Sequence, residues 1–362
     1  MRRQRFAMLA ALGGLATAAA AQQAPAVTIF GLVDLSVQHL RSGNRSLLNG
    51  ENQTRLHDGT AYGPGSRWGI RVSEDLGSGL RAGALLESGF LADTGVLAQG
   101  GRSFGRQAFL SLSSSAAGEL RMGRQYALHD ETQAITNPGG NTTVLNPGGV
   151  YTLRTGTIPL FIDAPRLDNT LHYLSPIFGG LRLQGMVALG EGTQDRYQGL
   201  KMSYGRGPVN LAASYEQSKA SSRPAGAPSS VNKILELGAN YDVGPLKLYA
   251  GFQRSRDLTT GIGTQIGTLT LPGLPGPATE LKAVNVGAST QLGATYVMAN
   301  FTRSRFGNAS GADVSIGRYG LGALYSFSKL TSLYAAFAVA TGDLKEHVSE
   351  KQIFQLGLRK AF

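Results

Sequence analysis

Residues 66–90 read SRWGIRVSEDLGSGLRAGALLESGF. Before the polar, glycine-bearing break at 74–79, Arg67, Gly69 and Arg71 alternate with Trp68, Ile70 and Val72. After the break, Arg81, Gly83 and Glu87 alternate with Ala82, Ala84 and Leu86. A period of two residues marks a strand with two unlike faces. Two such strands joined by a tight polar turn make an antiparallel hairpin. The charged face could meet bulk water, a nucleic acid or an enclosed aqueous space, and the rest of the chain decides between them.

The alternation recurs along the chain. Val27, Ile29, Val33, Leu35 and Val37 stand opposite Thr28, Asp34 and Ser36; Leu181, Leu183, Val187 and Leu189 stand opposite Arg182 and Gln184. The segments 209–216 and 246–253 repeat it, and near the end Phe354, Leu356 and Leu358 oppose Gln355 and Arg359. Between 104 and 112 it blurs, with Phe104, Arg106, Ala108 and Leu110 on one parity and Gln107, Phe109 and Ser111 on the other.

The connections alternate in length. Short ones fall near 74–79, 113–118, 175–180, 205–208, 242–245, 290–293 and 328–331. Long ones fall near 41–65, 91–103, 128–165, 191–196, 217–231, 255–279, 304–313 and 342–350. Seven short and eight long connections imply sixteen strands, an even number that returns both termini to one side. Short turns on one side and long loops on the other are the habit of a closed outer-membrane barrel. A soluble β-sandwich has no reason to sort its loops this way. Closure follows because hydrocarbon offers no hydrogen-bond partner to a strand edge. The expected fold is therefore all-β, a 16-stranded antiparallel transmembrane β-barrel with apolar faces outward and polar faces around a lumen.

Composition and charge agree. Glycine supplies 50 of 362 residues, about twice the usual ~7%, as many strands and turns would require. Residues 1–21, MRRQRFAMLAALGGLATAAAA, place three arginines before a 16-residue uncharged run that ends in small side chains. That is the layout of a secretory signal peptide, with cleavage after Ala21. The run is also shorter than the ~20 residues a helical span needs. The expected organisation is a leader over 1–21 and a single barrel domain over 22–362. The chain has no cysteine, which suits a large exported fold that needs no disulfides. Loss of Arg2, Arg3 and Arg5 with the leader takes the net charge from +11 to +8. Such an excess suits anionic solutes or an anionic membrane surface, and export argues against nucleic acid. His39, His57, His129, His172 and His347 lack metal-ligand spacing, and no nucleophile elbow or other catalytic signature is present. No metal, cofactor or catalytic residue is expected.

Several of these stretches together resemble the general diffusion porins of the betaproteobacterial outer membrane. VTIFGLVDLSV (27–37) looks like that family's opening strand, and SRWGIRVSEDLGSGLRAGALLESGF resembles its S-R-x-G…E-D-L-G-x-G-L block. GRQAFLSLSSSAAGELRMGRQY (105–126), RLDNTLHYLSPIFGGL (166–181) and the terminal GLRKAF are similar to further blocks in the same order. The resemblance implies a homotrimer whose third outer loop folds into the pore. The longest connection here, 128–165, is the third long one, and NPGG stands at 137–140 and recurs at 146–149. Its HDETQAITNPGG departs from the more usual acidic and aromatic run.

Carried over position by position, the resemblance implies constriction-wall roles for Arg67 and Arg106. Arg124 matches the arginine leading into the loop and Arg166 the one leaving it. Asp130, Glu131 and Asp163 are the loop's carboxylates. Asp34, Arg71, Arg81 and Glu87 are expected to face the lumen. Wall arginines outnumber loop carboxylates, which predicts weak anion selectivity. The expected partners are small hydrophilic solutes and ions, outer-membrane lipid and lipopolysaccharide, and the barrel-assembly machinery through a last strand ending at Phe362. A substrate-selective channel for organic anions is the nearest alternative. A barrel-embedded hydrolase or an adhesive barrel stands further off.

Overall fold

The structure is a computed structural model that describes residues 25–48, 52–58, 65–139, 145–146, 149–162, 166–191, 196–219, 231–257 and 270–362. The expected leader and Asp163 lie outside the described residues. A strand with one apolar face still has backbone polar groups on both edges, and here each strand satisfies them against its neighbours in the chain.

β1 (Ala26–Arg41) pairs along its first half with β3 (Ser66–Gly77) and along its second half with β2 (Asn52–Asp58). β2 and β3 are thus two arms of one stave. The antiparallel ladder continues through β4 (Leu80–Phe90), β5 (Gln107–Ser114) and β6 (Gly118–Tyr126), which pairs with β9 (Arg166–Leu174). It proceeds through β10 (Leu181–Ala188), β11 (Arg196–Arg206), β12 (Val209–Lys219), β13 (Val231–Asp242) and β14 (Lys247–Arg256). β15 (Glu280–Leu292), β16 (Thr295–Gly307), β17 (Asp313–Ser328), β18 (Thr331–Thr341) and β19 (Gln352–Ala361) complete it. β19 pairs with β1 from Leu32↔Ala361 to Arg41↔Gln352, so the sheet closes on itself. Its seventeen strands, with β2 and β3 taken as one stave, make a barrel of sixteen.

The tight turns all fall on one end of the barrel, as their spacing predicts. Two long connections hold more structure than expected. The first, 41–65, contains β2, which extends the wall beyond the membrane-level ladder. The third carries a short helix, His129–Ala134, and a hairpin of β7 (Val150–Leu153) and β8 (Gly156–Pro159).

The barrel is apolar outside and polar inside. Trp68, Leu110, Leu200, Val286 and Leu356 are exposed, whereas Asp34, Glu216, Glu236, Gln253, Asn285 and Arg318 are buried. The third long connection fills much of the lumen. Leu128, Leu153, Ile158, Leu160 and Ile162 pack there with Met186, Ile234, Leu281, Phe306 and Ile316 of the wall. It can lie this close because glycines floor its path. A Cβ on Gly238 would sit 2.7 Å from the Thr132 carbonyl oxygen, and one on Gly251, its register partner, 2.6 Å from Thr136 Cβ.

Closure is finished by Phe362. Its backbone exchanges hydrogen bonds with Gly31, at 3.0 and 3.1 Å. Its ring takes the space that a Cβ on Gly31 would need, 2.2 Å from Phe362 Cζ.

Candidate constriction of the lumen

The inward register of β1, β3, β4 and β19 gathers a basic cluster. Arg67 Nε and Arg106 Nε both lie 3.2 Å from Glu87 Oε1. Gln107 Nε2 donates to Glu87 Oε2 at 2.9 Å. One buried carboxylate therefore serves two guanidiniums. Arg67 also interacts electrostatically with Arg106, Tyr126 and Arg359. Arg359 Nε donates to Asp34 Oδ2 at 2.8 Å, and Tyr334 Oη donates to Asp34 Oδ1 at 2.6 Å. Arg166 Nη2 donates to Tyr126 Oη at 2.9 Å, with its guanidinium 4.6 Å from that ring's centre. Arg106 stands 6.0 Å from the same ring, so Tyr126 joins the two arginines through cation–π contact. Arg67, Arg106, Arg166 and Arg359 together outnumber Glu87 and Asp34, and the wall is net positive.

Arg106 shares its parity with Leu110, which faces outward, and alternation alone would send it to lipid. It turns inward because regular pairing of β5 begins one residue later, at Gln107↔Glu87. Arg124 sits at a bulge of the β6–β9 ladder, between Gly123↔Thr170 and Gln125↔Leu167. Its register partner is Ala108, in line with Leu110↔Met122 and Leu112↔Leu120, whose side chains are exposed on the outer face. Arg124 pairs with Asp168, and Arg102 Nη1 reaches Asp168 Oδ2 at 2.7 Å. Arg124 Nη1 also donates to the Arg166 carbonyl at 3.3 Å, which ties it to the cluster.

Below the cluster, toward the tight turns, Arg71, Arg81 and Arg121 line a lumen recess of about 420 Å³ with Ser111, Ser113 and Glu119. Arg71 lies 5.3 Å from the Phe30 ring centre and Arg121 5.2 Å from that of Phe109. Arg121 is paired with Glu119 at 2.8 Å, and Arg81 stands 3.8 Å from Asp75.

The loop carboxylates are partly spoken for. Glu131 is bound by Lys201, and Gln184 Nε2 donates to it at 3.2 Å. Burial pushes the Glu131 carboxyl up, but the Lys201 ammonium and hydrogen bonds from Lys201 and Gln184 outweigh this, and the net shift is downward. Asp130, in the same helical turn, is half-buried and interacts electrostatically with Glu236. The helix is clamped by His129, whose Nδ1 lies 2.7 Å from Glu216 Oε2, both fully buried. Further along the loop, Arg318 donates to the Asn146 carbonyl, and Glu350 accepts from Thr152 N and Oγ1 at 2.7 and 2.8 Å. Among the described residues, no group of three His, Cys, Asp or Glu could hold a metal ion.

Sequence reasoning missed Lys201, Arg359, Tyr126 and Arg318. Arg359 carried a usable signal, since it shares parity with Gln355 on the last strand. The others are defined by partners far away in the chain.

Residues 7–344 match the family model of the Gram-negative porins. An outer membrane porin of Bordetella pertussis is 29% identical over 95% of this chain and 96% of its own. Outer membrane porin protein 32 of Delftia acidovorans is 30% identical over 68% of this chain and 69% of its own. Among solved structures, an anion-selective porin from Comamonas acidovorans is similar with a TM-score of 0.73 and 24% identity, covering 93% of this chain and all of that one. The trimer form of OmpT from Vibrio cholerae gives a TM-score of 0.66 at 15% identity, covering 94% of this chain and all of that one.

Proposed function

This chain belongs to the Gram-negative porin family and forms a passive-diffusion channel in the outer membrane, and from that premise we propose that its lumen is weakly anion-selective. It is a channel and not an enzyme. The observation that supports the selectivity is the shared carboxylate. Arg67 and Arg106 divide Glu87 between them, while Lys201 engages Glu131 on the loop. An ion passing between wall and loop meets uncompensated positive charge on one side and a neutralised carboxylate on the other. Basic residues around a narrow pore favour anions. The similar structure from Comamonas acidovorans is itself an anion-selective porin, which fits this reading.

In this reading Arg67, Arg106, Arg124, Arg166 and Arg359 form the wall, with Asp34, Glu87 and Asp168 as their counter-charges. Asp130, Glu131 and Asp163 are the loop's acidic side, and Arg71 and Arg81 draw anions along the lower lumen. The mature chain starts after Ala21, assembles as a homotrimer, and is handed to the barrel-assembly machinery through the strand ending at Phe362. Purified protein in a planar bilayer under a potassium chloride gradient should give a reversal potential of the sign set by chloride. A cation-signed potential would overturn the reading. Saturable block by one dicarboxylate would favour the substrate-selective alternative. The mass of the protein extracted from outer membranes checks the leader, and its migration without heating checks the trimer.

A further inference from the structure

His172 is buried on the inward face of β9, between Gln125 of β6 and Gln184 of β10, which are buried as well. Both nitrogens of its ring are engaged. Nδ1 lies 3.2 Å from Gln125 Oε1, and Nε2 lies 3.0 Å from Gln184 Oε1. An amide can sit either way round, so its outer partner decides which atom it turns to the ring. On one side, Thr170 Oγ1 donates to the Gly123 carbonyl at 2.6 Å, and its oxygen accepts from Gln125 Nε2 at 2.7 Å. On the other, Gln184 Nε2 donates at 3.2 Å to Glu131, the loop carboxylate that Lys201 also holds. A carbonyl and an ionised carboxylate can only accept. Each chain of hydrogen bonds therefore has one polarity, and both amides present an oxygen to His172. A neutral imidazole has one donor and one acceptor, whereas an imidazolium donates from both nitrogens. The arrangement is that of a charged ring.

That charge is finely balanced. Burial opposes it, as do Arg121, the register partner of His172 on β6, and Lys201 on β11. Glu131 of the loop helix and the Gln184 oxygen favour it, and Glu119 engages Arg121 at 2.8 Å. When the ring gives up a proton, one nitrogen must accept, and one of the two amides must turn over. The Gln125 arm resists. Its links of 2.6 and 2.7 Å are buried, and turning the amide would leave either its own oxygen or the Gly123 carbonyl without a donor. The Gln184 arm yields. Its bond to Glu131 is longer, and the Glu131 side chain is 59% exposed and keeps Lys201.

We propose that His172 is a positioning residue of the constriction: charged, it aims the Gln184 amide at Glu131, and neutral, it lets Gln184 turn away. The loop carboxylate is thereby coupled to a proton held on the wall behind it. Coupling of this kind is reciprocal, so whatever fixes Gln184 also tightens the ring's hold on its proton. The charged ring adds a cation on the Lys201 side of Glu131, and the anion preference of the lumen follows it. Only this last consequence rests on the channel reading; the polarity of the hydrogen bonds stands without it.

The test is NMR of the folded barrel in detergent micelles, with isotope-labelled histidine and glutamine, and with signals assigned by their loss in H172Q and Q184M. On acidification the His172 ring should pass from one N–H to two, and the Gln184 amide signals should move at the same midpoint. That comparison needs only the unaltered protein. Q184M removes an acceptor from the charged ring and should lower the midpoint by about one pH unit, and E131Q should lower it too. A ring that keeps one N–H until the barrel unfolds would overturn the proposal, as would Gln125 signals moving in place of those of Gln184. A midpoint in Q184M within about 0.3 of a pH unit of the unaltered one would do the same. Reversal potentials are recorded over the same range, where H172Q should lose the rise in anion preference at the ring's midpoint; a rise of unchanged size would also overturn the proposal. A protein that conducts in no form would count against the porin reading, while the ring titration decides the proposal.

Discussion

Replacing Arg67 and Arg106 by glutamine should reverse the sign of the channel's ion preference. Together with Glu87 they form a triad of net +1, which the double substitution turns into −1. Glu87 would remain in place, because Gln107 Nε2 still donates to it at 2.9 Å. An ion passing ~6 Å from each guanidinium through water feels about 0.7 kcal/mol per charge. At ~0.1 M salt the ~10 Å Debye length cuts this to about 0.4 kcal/mol. Two lost charges therefore cost an anion about 0.8 kcal/mol and relieve a cation by as much. The combined ~1.5 kcal/mol is about a tenfold fall in the anion-to-cation permeability ratio. In a planar bilayer under a tenfold salt gradient, where full selectivity gives ~59 mV, that moves the reversal potential by tens of millivolts through zero. A shift of less than about 5 mV would refute the reasoning, because it would mean that permeating ions do not pass this triad.

Three further outcomes test the parts around it. Gly251→Val, whose Cβ would fall 2.6 Å from Thr136 Cβ, should push the loop off the wall, change the unitary conductance and lower stability by about 1–3 kcal/mol in heat-modifiable gel mobility. Gly31→Val should impair closure, since its Cβ would stand 2.2 Å from Phe362 Cζ; slower folding into lipid vesicles is the readout, and wild-type kinetics would contradict the role given to that contact. For Glu131 the folded carboxyl is held below its ordinary value, so the stability it contributes is present above the unfolded value and lost as pH falls through the folded one. Loop-driven channel fluctuations should therefore stay low at neutral pH and grow only below the usual carboxylate range, whereas Glu131→Gln should show them at neutral pH.

The staves were legible because each is specified locally. A strand with lipid on one side and water on the other must alternate, and Leu181, Leu183 and Val187 do so without reference to any distant residue. The turns were legible for the same reason. Gly207 and Gly244 sit at φ of +59° and +92° in tight connections, a backbone that favours glycine. The inward glycines carried no such mark. Gly238 and Gly251 are extended, and only the loop lying on them accounts for the missing side chains.

By itself, then, the sequence determined the number of staves, their inside-out polarity and the side on which the long loops lie. These depend on periods of two residues and on connection lengths, both of which are properties of neighbours in the chain. The tertiary structure alone decided which charges meet. Arg359 reaches Asp34 across 325 residues, and Lys201 reaches Glu131 across 70. Arg106 turns inward because it lies just beyond the β4–β5 ladder, and Arg124 sits where the β6–β9 ladder shifts register. Closing a barrel brings the first strand to the last and folds a loop against the far wall. The electrostatics of the lumen are fixed by those contacts, which no local pattern encodes.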